Sequence, residues 1–162
     1  MPGESGRRRI YWDSCLFIDL LENTVERGRI LETLLEDCEN GKFEIFTSVV
    51  TIAEVAYAKQ EKDKGRLDAQ IARRIQRFWH VESPVKLVEV HSGIASEAQS
   101  LIRKCLSAKK KLTPMDALHL ATARSVDVEE IHTFDNQLES LSRVLGIRIV
   151  PPSPSKLLFE DS

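Results

Sequence analysis

Cysteine is scarce in this chain. There are three, Cys15, Cys38 and Cys105, among 162 residues. The set is odd and scattered, with no CxxC pair, so it offers no zinc-ligand spacing. These read as reduced thiols at core or boundary positions of a cytosolic protein. Long apolar runs are missing too, and nothing approaches the ~20 residues that a membrane helix needs. The opening MPGESGRRRIYWD is basic but has no long apolar stretch behind it, so it does not read as a secretory signal. Charge of one sign is also lacking. With 23 Lys and Arg against 25 Asp and Glu, the formal net charge is -2. The whole chain is not a polycation, and a nucleic-acid partner would have to be met by local patches. No internal repeat is visible.

What is present is the balance of one ordinary soluble domain, 42% hydrophobic and 30% charged. Strand-like and helix-like segments alternate. RRRIYWD, KFEIFTS, VKLVEV, VEEIHTF and IRIV read as five strands. CLFIDLLENT and VERGRILETLLEDCENG carry helical periodicity, with Gly41 as a stop. VVTIAEVAYAKQ reads as one apolar helix. Residues 59–80 read as basic and helical, with Leu67, Ile71, Ile75 and Phe78 on one apolar stripe. SGIASEAQSLIRKCLSA reads as a helix opened by Ser92, and DNQLESLSRVLG as a short helical return. This alternation predicts an α/β fold: a mainly parallel sheet of about five strands, with helices on both faces. Residues 1–7 are expected to form a flexible extension, 8–151 a single domain and 152–162 a tail.

In such sheets sites collect beyond the carboxyl ends of the strands. Asp13 follows IYW, Asp135 follows IHTF, and Asp116 sits in the first helical turn of LTPMDALHLATA. A fourth acid, Glu54, lies in VVTIAEVAYA. Each has a plain alternative as a helix cap. Thr113-Pro114-Met115-Asp116 fits the capping box, and Thr51 to Glu54 fits it as well, although Ser48 is an equally good cap. The surroundings argue for more than capping. At ~100° per residue the helix after Asp116 is apolar on nearly all sides, as is the setting of Glu54. A buried ionised carboxylate needs a partner or a metal. Asp19, by contrast, shares a face with Glu22, Asn23 and Glu26 and reads as solvated, and Glu89 reads as an outward-facing strand residue. Four converging carboxylates would be hard oxygen ligands suited to Mg2+ or Mn2+.

IYWDSCLFIDLL, TSVVTIAEV, LTPMDALHLATA and IHTFDNQL, in that order, resemble the PIN-domain family of metal-dependent ribonucleases, especially VapC-like toxins of toxin–antitoxin systems. The resemblance implies that Asp13, Glu54, Asp116 and Asp135 are the catalytic, metal-holding acids. It sets Ser14 and Thr133 beside them as supporting hydroxyls, each with a capping or turn role as its plain alternative. His119, one turn from Asp116, reads as a satisfied, partly buried histidine that could touch the site. The implied reaction is hydrolysis of RNA phosphodiesters with Mg2+ or Mn2+. The implied partners are RNA, a cognate antitoxin protein and a second copy of the chain. Arg73, Arg74, Arg77, Lys109 and Lys110 are candidate phosphate contacts, with a solvated charged face as the alternative. Trp12, Phe78 and Trp79 could stack bases, but core packing is the better reading. Two other readings compete. One is a PIN-fold module that binds RNA or protein without cutting. The other is a phosphoacceptor receiver, which would want paired acids after the first strand and a lysine ending a late one. YWDS and IHTFD provide neither.

Overall fold

The computed structural model describes residues 6–22 and 25–154. Residues 1–5 of the expected extension, 155–162 of the expected tail, and 23–24 at the end of the first helical segment lie outside them. The elements in chain order are β1 (Arg8–Trp12), α1 (Ser14–Leu21), α2 (Val25–Glu39), β2 (Phe43–Ser48), α3 (Val50–Glu54), α4 (Lys59–Lys64) and α5 (Ala69–Trp79). They continue with β3 (Val85–Val88), α6 (Ser92–Ser107), α7 (Pro114–Ser125), β4 (Glu130–His132), α8 (Asn136–Glu139), α9 (Ser142–Leu145) and β5 (Ile149–Val150).

The five strands form one sheet in the order β3-β2-β1-β4-β5, and every pairing is parallel. The chain winds outward from β1 in one direction, then returns to place β4 on its other side. The switch in direction therefore falls between β1 and β4, where Trp12 pairs with His132. A crevice opens beyond such a switch because the connections leave the two strands on opposite faces.

Alternation along β1 feeds both faces at once. Ile10 and Trp12 pack with Leu16, Phe17, Leu31 and Leu34 under α1 and α2. Tyr11 packs on the other face with Leu101, Leu120 and Ala121 under α6 and α7. All three β1 side chains are fully buried, as expected of a central parallel strand covered on both sides. Phe17 anchors its layer by ring contacts to Trp12, Phe78 and Trp79, with centroids 5.6, 5.6 and 5.0 Å apart. Those three aromatics are thus engaged in packing.

Three helical readings are corrected. The apolar segment 49–60 is not one helix. It stops at Glu54, where Val55 leaves helical geometry (φ -101°, ψ 56°) and buries its side chain. The run VVTI is β-branched throughout, which weakens continuation. A new helix begins at Lys59 because Glu61 Oε1 accepts the Ala58 N–H (3.0 Å). Residues 59–80 are likewise broken, by Gly65 at φ 61° and by Asp68 capping α5. Leu67 falls in that break and is 84% exposed, so the apolar stripe contains only Ile71, Ile75 and Phe78. The cap of α6 is His91, whose Nδ1 accepts the Gly93 N–H (3.1 Å), not Ser92. Asp19, read as solvated, is half-buried and lies 3.6 Å from Arg27. No helix among the described residues is long and apolar enough to cross a membrane.

Candidate active site

Asp13 is the first residue after β1 and is 6% exposed. It caps α1: Oδ1 accepts the Cys15 N–H at 3.1 Å and the Cys15 thiol at 2.7 Å. Burial pushes its carboxyl above the ordinary range, against the pull of the Cys15 thiol, the Thr133 hydroxyl and the nearby His119 ring. The same burial, with the Asp13 charge beside it, drives the Cys15 thiol far up. Cys15 is therefore a protonated donor to Asp13 and not a nucleophile.

Asp135 stands across the switch, after β4. It is exposed and caps α8, with Oδ1 accepting the Gln137 N–H at 2.9 Å. Thr133 is fully buried, and its Oγ1 accepts the Asp135 N–H (3.0 Å). That hydroxyl also lies 3.6 Å from Cys15 Sγ, so it ties the two strand ends together.

Asp116 is in the first turn of α7, half-buried. Thr113 caps this helix by accepting the Asp116 N–H at 3.2 Å, with Pro114 at the first helical position. Six of the twelve α7 residues are buried, and they lie on nearly every side of it. Burial raises the Asp116 carboxyl, Thr113 and His119 oppose this, and the charges of Asp135 and Glu54 raise it further. Asp135 and Glu54 are therefore each within electrostatic reach of Asp116.

Glu54 closes α3. Its Oε2 accepts a hydrogen bond from Ser14 Oγ (3.2 Å), and its Oε1 lies 2.5 Å from His119 Nε2. Thr51 is buried inside α3 and is not its cap; Ser48 Oγ accepts the Val50 N–H (3.2 Å). Ser14 therefore serves Glu54, although it is adjacent in sequence to Asp13. His119 is only 2% exposed, and its Nδ1 lies 2.6 Å from the Tyr11 hydroxyl. The histidine is satisfied, as expected, and it does touch the acids. Tyr11 was not singled out from the sequence. Its only signal is that strand alternation turns it away from Trp12, and nothing in the sequence says that α7 lies there.

Among the described residues no three His, Cys, Asp or Glu side chains already converge to hold an ion. The donor set still fits a hydrated one. Mg2+ gives up water reluctantly and is commonly held through one or two carboxylates with several waters retained. Asp13 is buried, Asp116 and Glu54 are half-buried and Asp135 is exposed, and the charges of Asp135 and Glu54 act against that of Asp116, which is charge such an ion would offset.

The basic candidates divide. Lys109 and Lys110 are exposed on the loop that leads into α7, and Lys109 takes a left-handed conformation (φ 59°). Arg73, Arg74 and Arg77 are exposed on α5. Arg74 donates to the Leu20 carbonyl (3.0 Å) at the far end of α1 from Asp13.

Comparison with known proteins bears on the fold and the family. No curated protein sequence matches the chain. Solved structures share the fold at low identity. VapBC2 from Rickettsia felis, bound to a promoter DNA fragment, is 12% identical with a TM-score of 0.65, covering 87% of this chain and 96% of that one. FitAcB from Neisseria gonorrhoeae is 13% identical with a TM-score of 0.64, covering 88% and 97%. Mycobacterium tuberculosis VapC20, described as a sarcin–ricin loop cleaving toxin, is 15% identical with a TM-score of 0.60, covering 81% and 93%. The PIN domain profile matches residues 10–144, which span β1 through most of α9 and include all four acids, and the chain accordingly belongs to the PIN domain family.

Proposed function

We propose that this protein is an endoribonuclease that hydrolyses RNA phosphodiester bonds with Mg2+ or Mn2+, and that it acts as the toxin of a toxin–antitoxin pair or as an RNA-processing nuclease. The observation that carries this reading is the pair Asp13 and Asp116. Both carboxyls are raised by burial, they come from different elements, and Asp116 is coupled to Asp135 and Glu54. That is the electrostatic state of acids arranged for a cation.

When bound, a divalent ion would supply an activated water and offset charge developing on the phosphate. The chain's own residues do the holding. Backbone N–H groups at the starts of α1 and α8 each take Oδ1 of Asp13 and Asp135, which fixes the direction of both carboxylates. Asp13, Glu54, Asp116 and Asp135 are the ligands, and Ser14 and Thr133 orient them. Lys109 and Lys110 would meet phosphates near Asp116, and Arg73, Arg74 and Arg77 would extend a salt-sensitive track. The likeness to toxin–antitoxin structures supports an antitoxin partner, and the homodimer implied by the family resemblance is proposed with it. One observation favours a silent binding module instead: both Glu54 oxygens already have protein partners.

Incubating a panel of short RNAs with the protein separates the two. Cleavage in Mg2+ or Mn2+, abolished by EDTA and by Asp116→Asn, is the expected result. Cleavage that persists in EDTA or in the variant would sink the assignment. RNA binding without cleavage by the wild type would establish the silent module.

A further inference from the structure

Tyr11, His119 and Glu54 form a chain of contacts that the cutting reaction does not by itself require. The Ser48 backbone N–H donates to the Tyr11 hydroxyl (3.1 Å), which lies 2.6 Å from His119 Nδ1, and His119 Nε2 lies 2.5 Å from Glu54 Oε1. Tyr11 is fully buried and His119 is 2% exposed, whereas the Glu54 side chain is 23% exposed. The chain thus runs from the dry core below α7 out to the edge where the acids stand. In the neutral imidazole that carries its proton on Nε2, every donor meets an acceptor: the phenol donates to Nδ1, and Nε2–H donates to the carboxylate. With both ring nitrogens engaged, His119 has no lone pair left for a cation and is not itself a ligand.

We infer that His119 is a positioning residue whose Nε2–H, fixed by the Tyr11 hydroxyl, aims the Glu54 carboxylate at the divalent ion. The inference rests on the reading of Glu54 as a metal ligand. Glu54 needs such a brace because it ends a five-residue helix with no side-chain cap, immediately before the chain leaves helical geometry at Val55. An unbraced carboxylate there would sample many rotamers. Ser14 on α1 and His119 on α7 hold one oxygen each, so the plane of the carboxylate is set by two elements from opposite layers of the sheet. A carboxylate oxygen has two lone pairs, and each keeps one for a cation. Partners of this kind typically change metal affinity by 10–100-fold when removed.

The test is Mn2+ binding to the full chain, read from the electron paramagnetic resonance signal of free Mn2+, with circular dichroism to establish folding. Asp116→Asn is the reference for a lost ligand. In His119→Leu, affinity is expected to fall about 10–100-fold. His119→Gln keeps an N–H donor near the position of Nε2 and should recover most of it. Tyr11→Phe frees the ring to turn and should fall in between. Should the leucine variant not fold, the glutamine and phenylalanine variants carry the comparison against wild type. A folded His119→Leu that binds Mn2+ like wild type overturns the inference, as does a glutamine variant no better than leucine. Those outcomes leave the metal site standing if Asp116→Asn is weakened. Wild type that binds no Mn2+, or Asp116→Asn that binds it unchanged, overturns the site reading and the inference together.

Discussion

Two carboxylates are buried to nearly the same depth at opposite ends of the sheet, and they are treated in opposite ways. Glu130, at the start of β4, is 4% exposed; Asp13, just past the end of β1, is 6% exposed. Glu130 has partners of its own: Oε1 lies 2.8 Å from His132 Nε2 and Oε2 lies 3.2 Å from Arg148 Nε. Burial tends to raise it, but the His132 hydrogen bond and the charges of His132, Arg148 and Arg8 outweigh burial and hold it below its ordinary range. Asp13 receives hydrogen bonds and the pull of the nearby His119 ring, forms no salt bridge among the described residues, and sits above its range. A buried acid that the chain neutralises itself is architecture. A buried acid with donors but no salt-bridge partner suits, on the proposed function, a charge supplied from outside.

Substitution should separate the two most sharply in activity. Asp13→Asn is expected to lower metal-dependent RNA cleavage by on the order of 100- to 1000-fold. Glu130→Gln, assayed below its melting temperature, should cleave like wild type; equal losses in both would erase the distinction. Stability should order them the other way. Glu130→Gln leaves His132 and Arg148 without their anion and should cost about 3 kcal/mol in urea unfolding at neutral pH. Asp13→Asn keeps a capping side chain and removes a buried charge, so in EDTA it should gain about 1–2 kcal/mol.

Titration sharpens the contrast because the two shifts have opposite sign. Glu130 is lowered in the fold, so its stabilisation is present above its unfolded pKa and is lost as pH falls through the folded value. The gap between wild type and Glu130→Gln should close in acid. Asp13 is raised, so its protonated form is favoured by folding, and that contribution is lost as pH rises through the folded value. The gain in Asp13→Asn should therefore appear on going from acid to neutral pH and vanish in acid. Unfolding curves of the three proteins from acid to neutral pH in EDTA test both; parallel curves would contradict the assignment. The smallest effect is expected for Thr133→Val, which removes a hydroxyl that Asp13 and Asp135 both use. It should cost about 1 kcal/mol and raise Asp13 further, seen as a steeper loss of stability toward neutral pH.

Asp13, Asp116 and Asp135 were legible in the sequence because strand ends and helix starts are marked by local signals. Thr113-Pro114 announces α7, and an acid after IYW or IHTF needs little else. Five strands and two helical layers followed from the same alternation. Long-range facts were not legible. The sheet order, with β4 beside β1, is set by packing of the layers and not by any one segment. VVTIAEVAYAKQ and residues 59–80 read as continuous helices because periodicity does not register a break caused by Val55 turning into the core or by Gly65 at a left-handed cap. Glu130 and His132 passed as ordinary strand residues. Alternation puts them on one face, but the burial of that face and the arrival of Arg148 from the β5 side are tertiary. Tyr11 escaped for the same reason, since its partner is more than a hundred positions away.

The parallel order also bears on when the site can exist. β1 hydrogen-bonds to β4, which lies near the other end of the described chain, and the crevice between them is closed only by that pairing. A chain emerging from the ribosome carries Asp13 and Glu54 well before, and Asp116 shortly before, Glu130–His132 has been made. Until then Tyr11 has a strand partner on one side only, Trp12 lacks its partner His132, and Thr133 and Asp135 do not yet exist. On the proposed function, the growing chain lacks its full set of acids until β4 and the Asp135 that follows it have been made.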